Sequence, residues 1–574
     1  MRIRETYLVG LCITLLGLAF QQYYLVYVNE SSFFLFVAGA LMTSAGIVFS
    51  FMASDKNSSM IKYTLLLVYL TYLSLMIMPF VRFRSLSGDD ELFEFMAADS
   101  TIAHGWNTFA SLNSWHADPS HIAYLSSVGI TILPSIIHQT TGLDLVDVFK
   151  FILSAIISLT PILIYLDVKE IFASQKLAIL SSIIFSEFYF SFSSVNIQGA
   201  RQSIAILFVL FALFAVARLV GTNRNKKHFL LLVFSLFGIL SNHYTITYLS
   251  IMLLSSFLIG VYLILKTRML RNLLKIDVHT FAPNQLSLLT FSLVFFLVSS
   301  LTWFLSVPSS PFVIHLDNAL RLLSPRTFPT FDIIANQYVF GSPLGPWVDN
   351  WLRLGMILCL LGFLFMILRR KDSKTFLWFI GSGVLFGLFL VVTFVPNVST
   401  LYGSFLRVYI TGFFFFCALA ALALIEIDKK LKGILLIFLF LNLPVLMLLP
   451  VNQRYVLYHP EESVSPTDAV SQIYVTEAEF ASSRWIRNYV PVEEPISSDY
   501  RGYVNLYYAN HLGYRSVSET ADYLFGSKYL WLHYFAVKFG LWFEKDATKE
   551  FNSSLLIAKS NVIYSDDNVL LMKP

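Results

Sequence analysis

Ser87-Gly88-Asp89-Asp90-Glu91-Leu92-Phe93-Glu94 stands directly after an apolar run at 62–81. Four carboxylates at that place mean that the chain has left hydrocarbon for water. The polar stretch they open, 82–148, is therefore expected to be a long loop at a bilayer surface.

Outward from this loop, apolar runs repeat. A bilayer core about 30 Å thick takes roughly 20 apolar residues per helix. Thirteen runs of that kind are counted, at 7–28, 33–53, 62–81, 149–167, 176–194, 202–219, 228–241, 246–265, 286–306, 352–369, 375–395, 405–426 and 433–450, with 228–241 the shortest. With 56% hydrophobic, 16% aromatic and only 13% charged residues, a soluble protein of this length is excluded. Arg2 and Arg4 precede the first run and no small-residue cleavage site follows it, so it reads as an anchor. The expected fold class is mainly α: a polytopic membrane protein of about 13 transmembrane helices over 1–450, followed by a small extracytoplasmic α/β domain at 451–574.

Lys and Arg fix the expected orientation. With the N-terminus inside, the cytoplasmic segments hold 21 of the 40 Lys and Arg, and the opposite loops and span ends, tail aside, hold eight. Loop 82–148, loop 307–351 and the tail then face outward from the cell membrane. The net charge of +4 follows from this topology and needs no nucleic-acid partner. The three cysteines, Cys12, Cys359 and Cys417, all lie in apolar runs, so no disulfide framework is available to the tail.

Inside loop 82–148, Asp89 to Ala103 has helical periodicity, with Asp90 and Glu94 one turn apart on a shared face. Ile122 to Ile137 is apolar but interrupted by Gly129 and Pro134, which predicts a helix lying in the interface, ended by Thr141-Gly142. The short run 228–241 ends in a tight turn that brings His243 and Tyr244 to the outer surface. Loop 307–351 carries Asp317 and Arg321 and several prolines, and suits a mobile cover. In the tail, 477–489 reads as a helix and 495–499, 555–559 and 569–572 as strands. No internal repeat and no low-complexity run is found.

The residues able to carry chemistry cluster on the outer side. Asp89, Asp90, Glu91 and Glu94 can hold a divalent cation such as Mg or Mn through hard oxygens, or take a proton from an acceptor hydroxyl; their plainer role is to complement a helix N-terminus. Glu187, an acid inside an apolar run, is costly in hydrocarbon unless paired. Arg201 beside Gln202, Arg321 and Arg407 lie at or near outer span ends, where a guanidinium fork can hold phosphate or simply reach the interface. His243 and Tyr244 can bind donor phosphate or sugar. His116, Asp118 and His121 form a compact polar group with irregular spacing. Sequons stand at Asn29, Asn397 and Asn552.

These pieces together resemble the GT-C superfamily of integral-membrane glycosyltransferases, and most of all archaeal multi-pass membrane proteins of the DUF2206 type. The resemblance is carried in order by Ser87 to Glu94, Leu133-Pro134, Thr141-Gly142-Leu143, Val148-Phe149-Lys150, Pro161 to Tyr165, Gly199-Ala200-Arg201-Gln202-Ser203-Ile204-Ala205 and Ser241-Asn242-His243-Tyr244-Thr245. It implies transfer of a sugar from a polyprenyl- or dolichyl-phosphate donor to a glycan, lipid or protein acceptor on the extracytoplasmic face. It also implies Asp90 as base or metal ligand, Asp89 as its alternative, Glu94 in support, and outer arginines on the donor phosphate. The chain departs from the commonest GT-C plan by placing three spans before the acidic loop and by lacking a D-x-D spacing there. An O-antigen polymerase or ligase would lean instead on Arg201, His243 and Arg321. A lipid or polysaccharide transporter would call for repeat symmetry and mid-membrane charges.

Overall fold

The computed structural model describes residues 3–26, 38–39, 41–43, 45–47, 61–77, 89–106, 123–193, 200–221, 226–277, 283–306, 345–369, 371–394, 405–427, 433, 482, 485–486, 489–490, 496–497, 517–518, 529–532, 541–544, 547–550, 561–566 and 569–573. Helices dominate them, and in order they are α1 (Ile3–Val26), α2 (Ile61–Ile77), α3 (Asp89–His104), α4 (Val128–Thr141), α5 (Leu145–Phe172), α6 (Gln175–Ser193), α7 (Ala200–Gly221), α8 (Lys226–Leu240), α9 (Tyr244–Lys266), the short α10 (Arg268–Leu273), α11 (Pro283–Ser306), α12 (Gly345–Leu368), α13 (Ser373–Phe394) and α14 (Phe405–Glu426). Helix stands over eleven of the thirteen expected spans among the described residues. In 33–53 only 38–39, 41–43 and 45–47 are described, all helical, and 434–450 lies outside the described residues. Among the described residues four helices, α5, α7, α9 and the 286–305 part of α11, are long and apolar enough to cross a membrane.

Expected boundaries move at two places. The span read as 149–167 is part of the longer α5, which contains a π-helical turn at Val148–Leu153 and a break before Pro161 that restarts the helix at Thr160. Proline is accepted there because its missing N–H falls in a first turn. Loop 307–351 ends earlier than expected, since α12 already begins at Gly345.

The central helix is α7. Of its apolar stretch 72% is buried inside the protein, against 28% for α9 and for α11, whose Phe291, Val298, Leu301 and Leu305 point outward. An exposed apolar row of that kind suits contact with hydrocarbon. Aromatic pairs join the layers, among them Tyr72 with Phe185 at 5.9 Å, Phe185 with Phe413 at 5.9 Å and Trp378 with Phe415 at 4.6 Å. Helices α12 and α14 touch backbone to backbone, because a Cβ on Gly362 would fall 1.9 Å from the Leu419 carbonyl oxygen.

The charged residues sort to the two ends of this bundle. At one end Glu170 of α5 pairs with Arg218 of α7 at 2.6 Å and with Lys374 of α13, and Arg369 pairs with Glu426. The segments after α10 and α12 are laced together there: Ile276 and Lys371 form a parallel bridge, and Lys275 Nζ donates to the Leu368 carbonyl at 3.0 Å. Lys371 Nζ donates to the carbonyls of Leu274, Ile367 and Arg369, each at 3.0 Å. These are the segments expected to be cytoplasmic. Arg201 lies at the other end of α7 from Arg218, and at 1.5 Å per residue the two are about 25 Å apart.

Among the described residues of the tail, five strands order as β2–β1–β3–β7–β6, with β1 (Ile496–Ser497), β2 (Val517–Ser518), β3 (Tyr529–Leu532), β6 (Asn561–Asp566) and β7 (Val569–Lys573). Strand β1 is parallel to β2 and β3, whereas β7 runs antiparallel to β3 and β6. A separate antiparallel pair joins β4 (Leu541–Glu544) and β5 (Ala547–Glu550). Ser482, Trp485, Ile486 and Tyr489 are helical within the expected helix 477–489, while the expected strand 555–559 and the boundary at 451 lie outside the described residues.

Candidate functional site

Helix α3 spans Asp89–His104, with Asp89 and Asp90 in its first turn. Glu94 comes one turn after Asp90 on the same face. It is 0% exposed, and it meets the start of α7. The Arg201 backbone N–H donates to Glu94 Oε1 at 3.2 Å, and Arg201 Nε stands 3.6 Å from the same oxygen. Glu94 thus accepts from a first-turn N–H of α7, on a residue 107 positions further on in the chain, and neutralises that helix's first cation as well.

The Arg201 guanidinium lies 3.7 Å above the ring of Tyr124, in a 3-10 turn at Ala123–Ser126 just before α4. Phe93, beside Glu94, packs on Tyr124 with ring centroids 5.8 Å apart. A planar cation between a ring and a carboxylate is fixed in direction. Only 11% of the Arg201 side chain is exposed.

The second part of the site is the turn 241–243 between α8 and α9. His243 is extended (φ −151°, ψ 116°) and 6% exposed, and its ring stacks on Tyr244 at 5.2 Å and 18°. The start of α4 docks on this turn: Val128 N–H donates to the Ser241 carbonyl at 2.8 Å, Ser127 Oγ to the Asn242 carbonyl at 3.0 Å, and Gly129 N–H to Asn242 Oδ1 at 2.8 Å. Gly129 has no room for a side chain, since a Cβ would lie 2.0 Å from Asn242 Oδ1 and 3.1 Å from Ile204 Cγ2 of α7. Ser135 Oγ then reaches the Ala98 carbonyl at 3.2 Å, tying α4 to α3. Aromatic side chains border the same end of the bundle: Trp106 meets Trp303 at 6.0 Å, Phe237 meets Trp303 at 5.9 Å and Tyr248 meets Phe304 at 5.5 Å.

Of the expected site residues, Glu94 and Arg201 are brought into contact. Gln202 is half-buried beside Arg201, and His243 and Tyr244 belong to the turn on which α4 docks. Asp89 and Asp90 lie in the first turn of α3, Glu187 in α6 and Arg407 in the first turn of α14, each with only its backbone described. Arg321, His116, Asp118 and His121 lie outside the described residues. Among the described residues no group of three His, Cys, Asp or Glu side chains could hold a metal ion. Glu94, the described carboxylate of the acidic cluster, faces a cation.

Three residues escape a reading of the sequence. Tyr124 gives no signal in the spacing. Asn242 enters only as part of a motif. Asp167 falls at the end of an expected span, yet α5 continues to Phe172 and buries it completely, with neither carboxylate oxygen hydrogen-bonded among the described residues. An acid within an apolar run is the available cue.

No protein-family model matches the chain, so the DUF2206-type likeness rests on the quoted motifs alone, and no curated protein matches it. Two solved structures of the Archaeoglobus fulgidus oligosaccharyltransferase are similar to it. The one tethered with an acceptor peptide containing the NVT sequon through a disulfide bond has a TM-score of 0.47 and 12% identity, over 82% of this chain and 69% of that one. The one in complex with Zn and sulfate has a TM-score of 0.45 and 13% identity, over 82% and 68%. At that identity no residue of theirs is mapped onto a residue here.

Proposed function

We propose that this protein is a membrane glycosyltransferase that moves a sugar from a polyprenyl- or dolichyl-phosphate donor to a glycan, lipid or protein acceptor on the extracytoplasmic face of the cell membrane. The observation that supports it best is the buried Glu94–Arg201–Tyr124 cluster, at the end of the bundle opposite the lysine- and arginine-rich loops. Under the positive-inside rule those loops are cytoplasmic and the cluster faces outward. A guanidinium held from two sides is suited to a phosphate leaving group, because its donors need not reorganise as charge develops.

In this reading the acceptor hydroxyl gives its proton to the Asp90 carboxylate, with Asp89 the alternative base. The acceptor oxygen bonds to the anomeric carbon while the bond from that carbon to the phosphate oxygen breaks. The phosphate leaves with the electron pair, its charge met by Arg201, and the configuration inverts. Gln202, His243 and Tyr244 are assigned to the donor in this reading, as are Arg321, Arg407 and Glu187 on the sequence alone. Glu94 positions Arg201 and takes no proton. Asp89 and Asp90 are also oxygen donors of the kind Mg2+ or Mn2+ takes, and a cation there would screen the phosphates; removal with a chelator and return of Mn2+ tests that part separately.

The main test is transfer in proteoliposomes supplied with polyprenyl-phosphate sugars. A lost general base costs about 10²–10⁴-fold, so Asp90→Asn or Asp89→Asn should lose that much turnover with expression unchanged. Full activity in both variants removes the proposal. Loss confined to Arg201, His243 and Arg321 variants favours polymerase- or ligase-type joining of whole glycans.

A further inference from the structure

Asn242 has no role in the reaction above, yet its carboxamide joins segments far apart in the chain. Its Oδ1 accepts from Gly129 N–H at 2.8 Å, across 113 positions, and its Nδ2 donates to the Gly238 carbonyl of α8 at 2.6 Å. Its own carbonyl accepts from Ser127 Oγ at 3.0 Å, and it is 6% exposed. Neither end of the amide can be reversed without setting N–H against N–H and oxygen against oxygen. The partners therefore demand an amide, and neither a carboxylate nor an apolar side chain of the same shape replaces it.

What this clip fixes is the start of α4. Tyr124 stands three residues before Ser127, and its ring is the surface on which the Arg201 guanidinium rests. The other side of the clip is His243, the next residue after Asn242. Gly129 packs between Asn242 and Ile204 of α7, one turn from Arg201. The carboxamide thus ties the first turn of α4, which follows Tyr124, to the last turn of α8, which leads into His243.

We infer that Asn242 is a positioning residue. It locks the Tyr124–Arg201–Glu94 cluster to the His243–Tyr244 turn, so that the two present one phosphate-binding surface instead of two independent ones. The lock is read from geometry alone, and its consequence for phosphate rests on the transferase reading.

Asn242→Asp is the informative variant. It keeps shape and the acceptor for Gly129, removes the donor to Gly238, and sets a carboxylate oxygen against that carbonyl. In the full-length protein in detergent, hydrogen exchange of the amides of 127–131 and of Arg201 is expected to speed up about 10-fold or more, while α11 and α13 stay unchanged. Ser127→Ala, which removes one bond of the clip and adds no charge, is expected to move the same amides by a smaller factor. Exchange at Arg201 unaltered in both variants overturns the inference, as does a rise spread over every helix.

Titration with a polyprenyl monophosphate supplies the second arm. Dissociation constants about 10-fold weaker in Asn242→Asp, and no further weakening when Arg201→Lys is added, show the two residues acting as one unit. Fully multiplying losses overturn it. A wild-type protein that binds no polyprenyl monophosphate sinks the transferase reading, and the exchange data still judge the lock.

Discussion

At the scale of single residues, the pair Glu94–Arg201 carries the most weight. Both members are legible as candidates: an acid in an exposed-looking cluster, and an arginine at a span end. Their union is not legible, because it spans 107 positions and nothing in local periodicity links a loop helix to the first turn of a later span. Pairing changes the expected roles, since a carboxylate committed to a buried guanidinium orients it and is no longer a free base. Removing one partner of a buried pair leaves an uncompensated charge and typically costs about 3–5 kcal/mol. Glu94→Gln is therefore expected to lower unfolding stability by about 3 kcal/mol, measured by thermal or denaturant melting of the detergent-solubilised protein. Tyr124→Leu keeps the apolar contact but loses the ring face, and should cost only about 1 kcal/mol. Equal losses in the two would mean that packing, and not charge, holds Arg201.

At the scale of elements, apolar run length locates most helices, because hydrocarbon imposes one length on every span. It is a poorer guide where polar loops fold back on the bundle. By sequence, Gly129 and Pro134 interrupt an interfacial helix. In the structure both lie within α4, and Gly129 is there because Asn242 and Ile204 occupy the space a side chain would need. Gly142 ends α4 with φ +71°, and a Cβ there would meet nothing within 4 Å, so the stop read at Thr141-Gly142 has a backbone cause. Two alanine variants separate these effects by melting: Gly142→Ala should cost about 1 kcal/mol from the left-handed backbone, and Gly129→Ala about 1–3 kcal/mol from displaced neighbours. The latch between α10 and α12 offers a pH test. Burial, and then the charge of Lys275, pull the Lys371 ammonium down to about 8. A native value below the unfolded one means the charged form is penalised in full below about pH 8, and the penalty fades as pH rises toward the ordinary lysine value. Relative to Lys371→Met, the wild type should gain melting temperature between about pH 8 and 10; a parallel or falling difference contradicts the assignment.

At the scale of the whole molecule, the asymmetry of Lys and Arg anticipates which segments sit together. Segments 169–176, 218–227, 266–277 and 368–374 hold the residues that meet around Glu170 and Lys371, while Glu94, Arg201 and Tyr124 meet about 25 Å away along α7. The course of 307–344 and 434–481 has no comparable rule in the sequence, and both lie outside the described residues. Sidedness is directly measurable, because Thr140 and Lys227 are both exposed. In a Cys12→Ser background, Thr140→Cys should react with an impermeant maleimide on intact cells and Lys227→Cys only after permeabilisation. Labelling of both from one side removes the extracytoplasmic assignment. The parallel bridge between Ile276 and Lys371 also sets an order of biogenesis. Ile276 leaves the ribosome long before Lys371, so the chain through α10 is expected to be in place before this bridge can form. Nascent chains arrested short of Lys371 should be cut by protease near Ile276, and those carrying α12 and α13 into the bilayer should resist.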